Sequence, residues 1–137
     1  MSFVLDSSVA LTWCFEDERT PATEALLKRV VETGAIVPVL WPLEVLNALA
    51  MAERRKRVDR DTRHRLAGLL RELPIRVDID SAAMAWTETA ALAERHQLTL
   101  YDASYLEVAH RLALPLGTLD GALRKAADAV HVPLLGK

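Results

Sequence analysis

Short apolar runs alternate with longer stretches of helical periodicity along this chain. Phe3-Val4-Leu5 reads as a short strand ending at Asp6. Thr20-Pro21 pairs an N-cap with proline at the first helical position, and the helix it opens carries Ala25, Leu26 and Val30 on one face and closes near Gly34. Ala35-Ile36-Val37-Pro38 is a second strand. Pro42 opens a helix to about Arg57, and Asp59 or Asp61 starts another to about Leu73. Ile75 to Ile79 alternates with period two, the mark of a third strand. Ser81 caps a long Ala-rich helix to about His96, and Asp102 opens one to about Leu112. Leu114–Leu119 holds a fourth strand, Gly121–Ala129 a helix and Val132–Leu135 a fifth strand.

Strands joined by helical crossovers predict an α/β fold, a three-layer α/β/α sandwich around a mainly parallel sheet of four to five strands. No repeat, low-complexity tract or linker interrupts the pattern, so residues 1–137 are expected to form a single domain. At 137 residues and 51% hydrophobic, the chain has the apolar content for a core, which excludes intrinsic disorder. One cysteine, Cys14, excludes an intrachain disulfide. The N-terminus has no basic leader, and the uncharged run Ala35–Leu43 is far too short to span a bilayer. A soluble cytoplasmic protein, away from membranes, is the expectation.

Four acids stand out by their surroundings. Asp6 ends the first strand with no basic residue before Arg19. Glu44 lies in an apolar stretch with no Lys or Arg between Arg29 and Arg54. Asp102 sits between Leu98-Thr99-Leu100-Tyr101 and Ala103-Ser104-Tyr105-Leu106, and Asp120 follows Leu114-Pro115-Leu116-Gly117-Thr118-Leu119. Carboxylates in apolar company are costly unless paired, hydrogen-bonded or metal-bound. Each alone also has a plain structural reading. Asp6, Asp102 and Asp120 fall at helix starts, where Asp is a favoured N-cap, and Glu44 suits a half-exposed helix face. Taken together they point elsewhere. In a parallel sheet the C-terminal strand ends share one edge, outside which ligands bind. Asp6 and Asp120 end strands, and Glu44 and Asp102 lie near the starts of helices that could border that crevice. Asn47, three residues beyond Glu44 on the same helix face, is a candidate to orient its carboxylate. Clustered carboxylates repel unless a hard cation such as Mg²⁺ or Mn²⁺ lies among them.

Asp6-Ser7-Ser8 after a strand, Pro42-x-Glu44-Val45-x-Asn47, Tyr101-Asp102-Ala103-x-Tyr105-x-x-x-Ala109 and Thr118-Leu119-Asp120 resemble the four signatures of PIN-domain ribonucleases. Their order and spacing are most similar to those of the VapC toxins of toxin–antitoxin pairs, over essentially the whole chain. The resemblance implies a Mg²⁺- or Mn²⁺-dependent endoribonuclease acting on RNA, restrained by a cognate antitoxin and assembled as a homodimer. Carried over, Asp6, Glu44, Asp102 and Asp120 are the catalytic acids; Asp6, Asp102 and Asp120 hold the metal; Ser7, Ser8 and Thr118 support them. A PIN-like RNA- or protein-binding module without turnover is the alternative.

Other features narrow the field. Arg54 to Arg65 holds seven basic residues against two acids, a net charge of +5 that leaves the rest of the chain at −7. That segment is either an RNA-phosphate contact or a solvated helix end. His64, His96, His110 and His131 lack paired zinc-ligand spacing. Cys14 reads as a packed thiol, and Trp13, Trp41 and Trp86 as core residues. No Gly-x-Gly-x-x-Gly or P-loop is present. A phosphoacceptor receiver would need a Lys after a late strand, and a haloacid-type phosphatase an acid where Ser8 stands.

Overall fold

The computed structural model describes residues 2–137. Five short strands, β1 (Val4–Leu5), β2 (Ala35–Pro38), β3 (Ile75–Asp78), β4 (Leu116–Gly117) and β5 (Leu134–Leu135), form one sheet in the order β3-β2-β1-β4-β5. Every neighbouring pair is parallel, with Val4 opposite both Ile36 and Leu116. β1 is central and wholly buried, as the unbroken apolar run Phe3-Val4-Leu5 requires of a strand covered on both faces. Gly117 on β4 makes room for it: a Cβ there would lie 3.0 Å from the Phe3 ring.

The helices are α1 (Ser7–Thr12), α2 (Pro21–Thr33), α3 (Trp41–Arg54), α4 (Arg60–Glu72), α5 (Ser81–Met84), α6 (Ala90–His96), α7 (Leu100–Leu112) and α8 (Gly121–Ala129). The caps explain several boundaries. Thr20 and Thr23 form a reciprocal capping box ahead of α2, with Pro21 at its first position. Gly34, at φ +78°, ends that helix where a side chain would meet the Pro74 carbonyl at 3.0 Å. Asp59 rather than Asp61 caps α4, accepting from the Thr62 amide.

Chain direction decides where the layers go. From β1 to β2 to β3 the chain moves one way across the sheet, and right-handed crossovers put α1 to α4 on one face. From β3 it returns past β2 and β1 to β4, then on to β5, so α5 to α8 cover the other face. The direction reverses between β1 and β4. A crevice therefore opens at the C-terminal ends of those two strands, the usual ligand position in an open α/β sheet. Asp6 and Asp120 lie there.

Four expectations are corrected. The long helix from Ser81 is divided by a π turn, Ala85–Thr89, and Asp80 rather than Ser81 holds its N-cap position. The Ser81 hydroxyl instead donates to the Asp78 carbonyl and accepts from the Val39 amide, tying the ends of β3 and β2 together. The π turn is wider than an α turn, so Trp86, three residues before buried Thr89, swings off the packed face. Trp86 is 84% exposed and is no core residue, whereas Trp13 and Trp41 are buried. Finally, Asp102 is not the cap of α7. Thr99 is, through its hydroxyl and the Asp102 amide, which leaves the Asp102 carboxylate free of that duty.

Candidate active site

Asp6 follows β1 directly and occupies the N-cap position of α1, yet its carboxylate caps nothing. Its Oδ2 instead accepts from Ser8 Oγ at 2.6 Å and from Thr118 Oγ1 at 2.7 Å. The two hydroxyls are themselves fixed from the β4 side. Ser8 Oγ accepts the Leu119 amide at 3.0 Å, and Thr118 Oγ1 accepts the Asp120 amide at 3.1 Å. Asp6 is 3% exposed. Burial pushes its pKa up, the Ser8 and Thr118 hydrogen bonds pull it back, and nearby Asp120 pushes it up again. Asp120 does cap its helix: Oδ2 accepts the Leu123 amide at 2.8 Å. Arg124, one turn on, gives its guanidinium to the Thr118 and Leu135 carbonyls, joining the ends of β4 and β5.

Glu44 enters from the first turn of α3. Ser7 Oγ lies 3.4 Å from its Oε1 and 3.5 Å from Asp6 Oδ1, so this hydroxyl bridges two acids. Tyr105 donates its phenolic hydroxyl to the same Oε1. Asn47, the candidate from helical spacing, is exposed and makes no such bond. Burial raises the Glu44 pKa, and Asp6 adds to that. Asp102 comes from the first turn of α7. Its pKa is pushed up to about 6, first by burial and then by the negative charge of Asp120, Asp6 and Glu44. That pattern puts Asp6, Glu44 and Asp120 all within electrostatic reach of Asp102.

Among the described residues, no Lys, Arg or His forms an ion pair with any of these four carboxylates. Four hard oxygen donors with unbalanced charge fit a Mg²⁺ or Mn²⁺ ion better than a softer metal. Among the described residues no group of three His, Cys, Asp or Glu side chains is placed to hold a metal ion by itself. The acids stand around an open edge instead. That suits a cation such as Mg²⁺, which keeps several waters and takes one or two carboxylates plus substrate phosphate. A cavity of about 610 Å³ lies apart from them, among Trp41, Val45, Ala67, Leu70, Ile75 and Val77. It is mainly apolar, with His64 and Arg71 also in its lining, and contains none of the four acids.

Sequence spacing missed Tyr105 as the partner of Glu44, although its i, i+3 relation to Asp102 puts both on one face of α7. It also missed a buried charge cluster, in which Arg111 bonds Glu107 Oε2 at 2.7 Å and pairs with Asp78. Cys14 is half-buried, and burial pushes its thiol up to about 11, as expected of an inert packed cysteine. The basic segment is partly neutralised: Arg57 pairs with Asp17 and Glu18 and stacks on Phe15, and Arg63 pairs with Glu53.

The family model for the PIN domain matches residues 3–129. Ribonuclease VapC3 of Pyrobaculum aerophilum is 28% identical over 133 residues, 97% of this chain and all of that one. Three solved structures are similar in fold. PAE2754 from Pyrobaculum aerophilum has a TM-score of 0.70 at 24% identity, over 92% of this chain and 84% of that one. FitAcB from Neisseria gonorrhoeae has a TM-score of 0.67 at 17% identity, over 99% and 97%. VapBC2 from Rickettsia felis, bound to a DNA fragment from their promoter, has a TM-score of 0.68 at 9% identity, over 98% and 97%.

Proposed function

The chain belongs to the PIN-domain family, and from that premise we propose that it is a divalent-metal-dependent endoribonuclease, the toxin of a toxin–antitoxin pair. One observation supports the reading: Asp6 and Asp120 follow the two strands at the reversal point of a parallel sheet, Glu44 and Asp102 lie within reach of their charge, and among the described residues no Lys, Arg or His pairs with any of the four. The ribonuclease name of the Pyrobaculum relative supports the activity, and the VapBC2 complex among the fold neighbours supports an antitoxin partner.

Asp6, Asp102 and Asp120 would hold Mg²⁺ or Mn²⁺, as ribonucleases of this family generally use divalent ions. The ion would supply charge neutralisation at the scissile phosphate and a more acidic water. The chain's own groups do the rest. Ser8 and Thr118 take Asp6 Oδ2, which leaves Oδ1 to face the crevice with Ser7 beside it. Asp120 gives one oxygen to its helix and keeps the other. Glu44, with Oε1 engaged, presents Oε2 to orient the attacking water or accept its proton. The open edge admits a polymer, and in-line attack leaves 5′-phosphate and 3′-hydroxyl ends.

We further read the exposed apolar side chains Val39, Leu43, Leu46, Val77 and Ile79, at the ends of β2 and β3 and the start of α3, as a homodimer face. Expression in a host lacking the antitoxin tests the function. The wild-type chain is expected to arrest growth, and Asp6→Ala to relieve the arrest at equal protein level. Arrest by a folded Asp6→Ala variant would remove the acids from the mechanism.

A further inference from the structure

We propose that Tyr105 is a positioning residue that locks the Glu44 carboxylate in one orientation, so that Oε2 alone is offered to the reaction. The inference rests on the nuclease reading above and adds a residue to it. Tyr105 lies one turn beyond Asp102 on α7 and is 0% exposed. A tyrosine hydroxyl buried in a core is unfavourable unless it finds a partner, and phenylalanine would fill the same space without that demand. The hydroxyl's partner is Glu44 Oε1, on a helix 61 residues away in sequence.

The other donor to Oε1 cannot do this work alone. Ser7 has one hydroxyl proton and two carboxylates in reach, Glu44 Oε1 at 3.4 Å and Asp6 Oδ1 at 3.5 Å. Both distances are long, so Ser7 holds neither acid firmly. Tyr105 is the committed donor. Glu44 has three rotatable side-chain bonds and is only half-buried. Without a committed donor its carboxylate turns freely, and either oxygen or neither faces the crevice. With Oε1 held, rotation about the last bond is fixed, and no protein donor reaches Oε2 among the described residues. α7 thus contributes twice: Asp102 directly, and Glu44 at second hand. The bond also joins α3 on one face of the sheet to α7 on the other, across the edge where the acids meet.

A double-mutant cycle with Tyr105→Phe, Glu44→Gln and the pair tests this, using a defined RNA with saturating Mn²⁺. Tyr105→Phe is expected to lower kcat about 10- to 100-fold, the range usual for loss of a supporting hydrogen bond at a metal site, with KM for RNA unchanged. In the Glu44→Gln background the same change is expected to slow the reaction no further. The second readout needs no activity. In the metal-free protein, the Tyr105 hydroxyl proton is expected as a slowly exchanging NMR resonance, absent in Tyr105→Phe and displaced in Glu44→Gln. An unchanged kcat in Tyr105→Phe, or equal losses with and without the Glu44 carboxylate, would overturn the proposal. Should Tyr105→Phe fail to fold, the displacement in Glu44→Gln decides, and an unmoved resonance counts against it. Should the wild type not cleave RNA at all, the nuclease reading falls by itself, and the resonance alone decides whether Tyr105 holds Glu44.

Discussion

Asp102 bears the clearest mark of the cluster's electrostatics. Its pKa of about 6 in the folded chain lies above its ordinary 3.8, so the folded state binds a proton there more readily than the unfolded one. The stability associated with that proton is complete below pH 3.8 and is lost as pH rises through 6. Above that range the metal-free protein carries a partly buried charge beside three other acids, which Asn at the same position lacks. Asp102→Asn should therefore unfold at a higher temperature than the wild type in EDTA at about pH 7.5, by on the order of 1 kcal/mol after solvent screening. The two should converge near pH 4. Mn²⁺ should reverse the order, stabilising the wild type by about 2.7 kcal/mol at a hundredfold excess over its dissociation constant, and the variant by less. Melting curves at both pH values, with and without Mn²⁺, check each part. At this scale the sequence was informative because an acid in apolar company is rare enough to notice. Asp6, Glu44, Asp102 and Asp120 could be picked out, and so could the hydroxyls of Ser7, Ser8 and Thr118. Tyr105 could not be paired with Glu44, since only the folded chain brings residues from α3 and α7 together. Asn47 was misleading for the same reason: helical spacing gives a shared face and says nothing of what covers it.

Elements settle what the basic segment can do. It occupies the end of α3, the turn at Lys56 and the start of α4, about 15 Å from Glu44 along the helix axis. Arg57 is fastened to Asp17, Glu18 and Phe15, and Arg63 to Glu53. Arg54, Arg55, Lys56, Arg60 and Arg65 are exposed, and among the described residues none of them forms an ion pair. They are the side chains available to RNA phosphates. Replacing Arg54, Arg55 and Arg60 by Gln should weaken RNA binding and flatten its log–log salt dependence, by about 0.7 for each phosphate that the variant no longer neutralises. Binding titrations from low to moderate salt measure the slope, and an unchanged slope makes the segment a solvated tip. Boundaries were legible where local chemistry sets them. The Thr20-Pro21 start of α2, the start of α4 at Asp59 or Asp61, which falls to Asp59, and the Gly121 start of α8 are examples. They were illegible where tertiary contacts do. The π turn within Ser81–His96 leaves no trace in an Ala-rich sequence, and Trp86, read as core, is exposed because of it.

Across the whole molecule the parallel sheet and its two helical layers followed from the alternation of strand and helix, while the strand order did not. That order is what matters for the site. It puts the reversal point between β1 and β4, and with it Asp6 and Asp120. The same view isolates the apolar face near the end of β3, where Leu43 and Ile79 are 73% and 76% exposed. If that face joins two copies, Leu43→Glu with Ile79→Glu should shift a dimer to monomer in sedimentation without lowering the melting temperature much, since neither side chain is packed within the chain.

RNA cleavage by the four acids with a bound divalent ion is open to a single assay. Purified wild type and Asp102→Asn are incubated with an end-labelled RNA, in EDTA and in Mn²⁺, and the product ends are identified. Internal cuts by the wild type are expected in Mn²⁺ only, with 5′-phosphates on the downstream fragments, and a loss of at least a hundredfold in Asp102→Asn. Cleavage by the wild type in EDTA, or by Asp102→Asn at the wild-type rate, would contradict that mechanism.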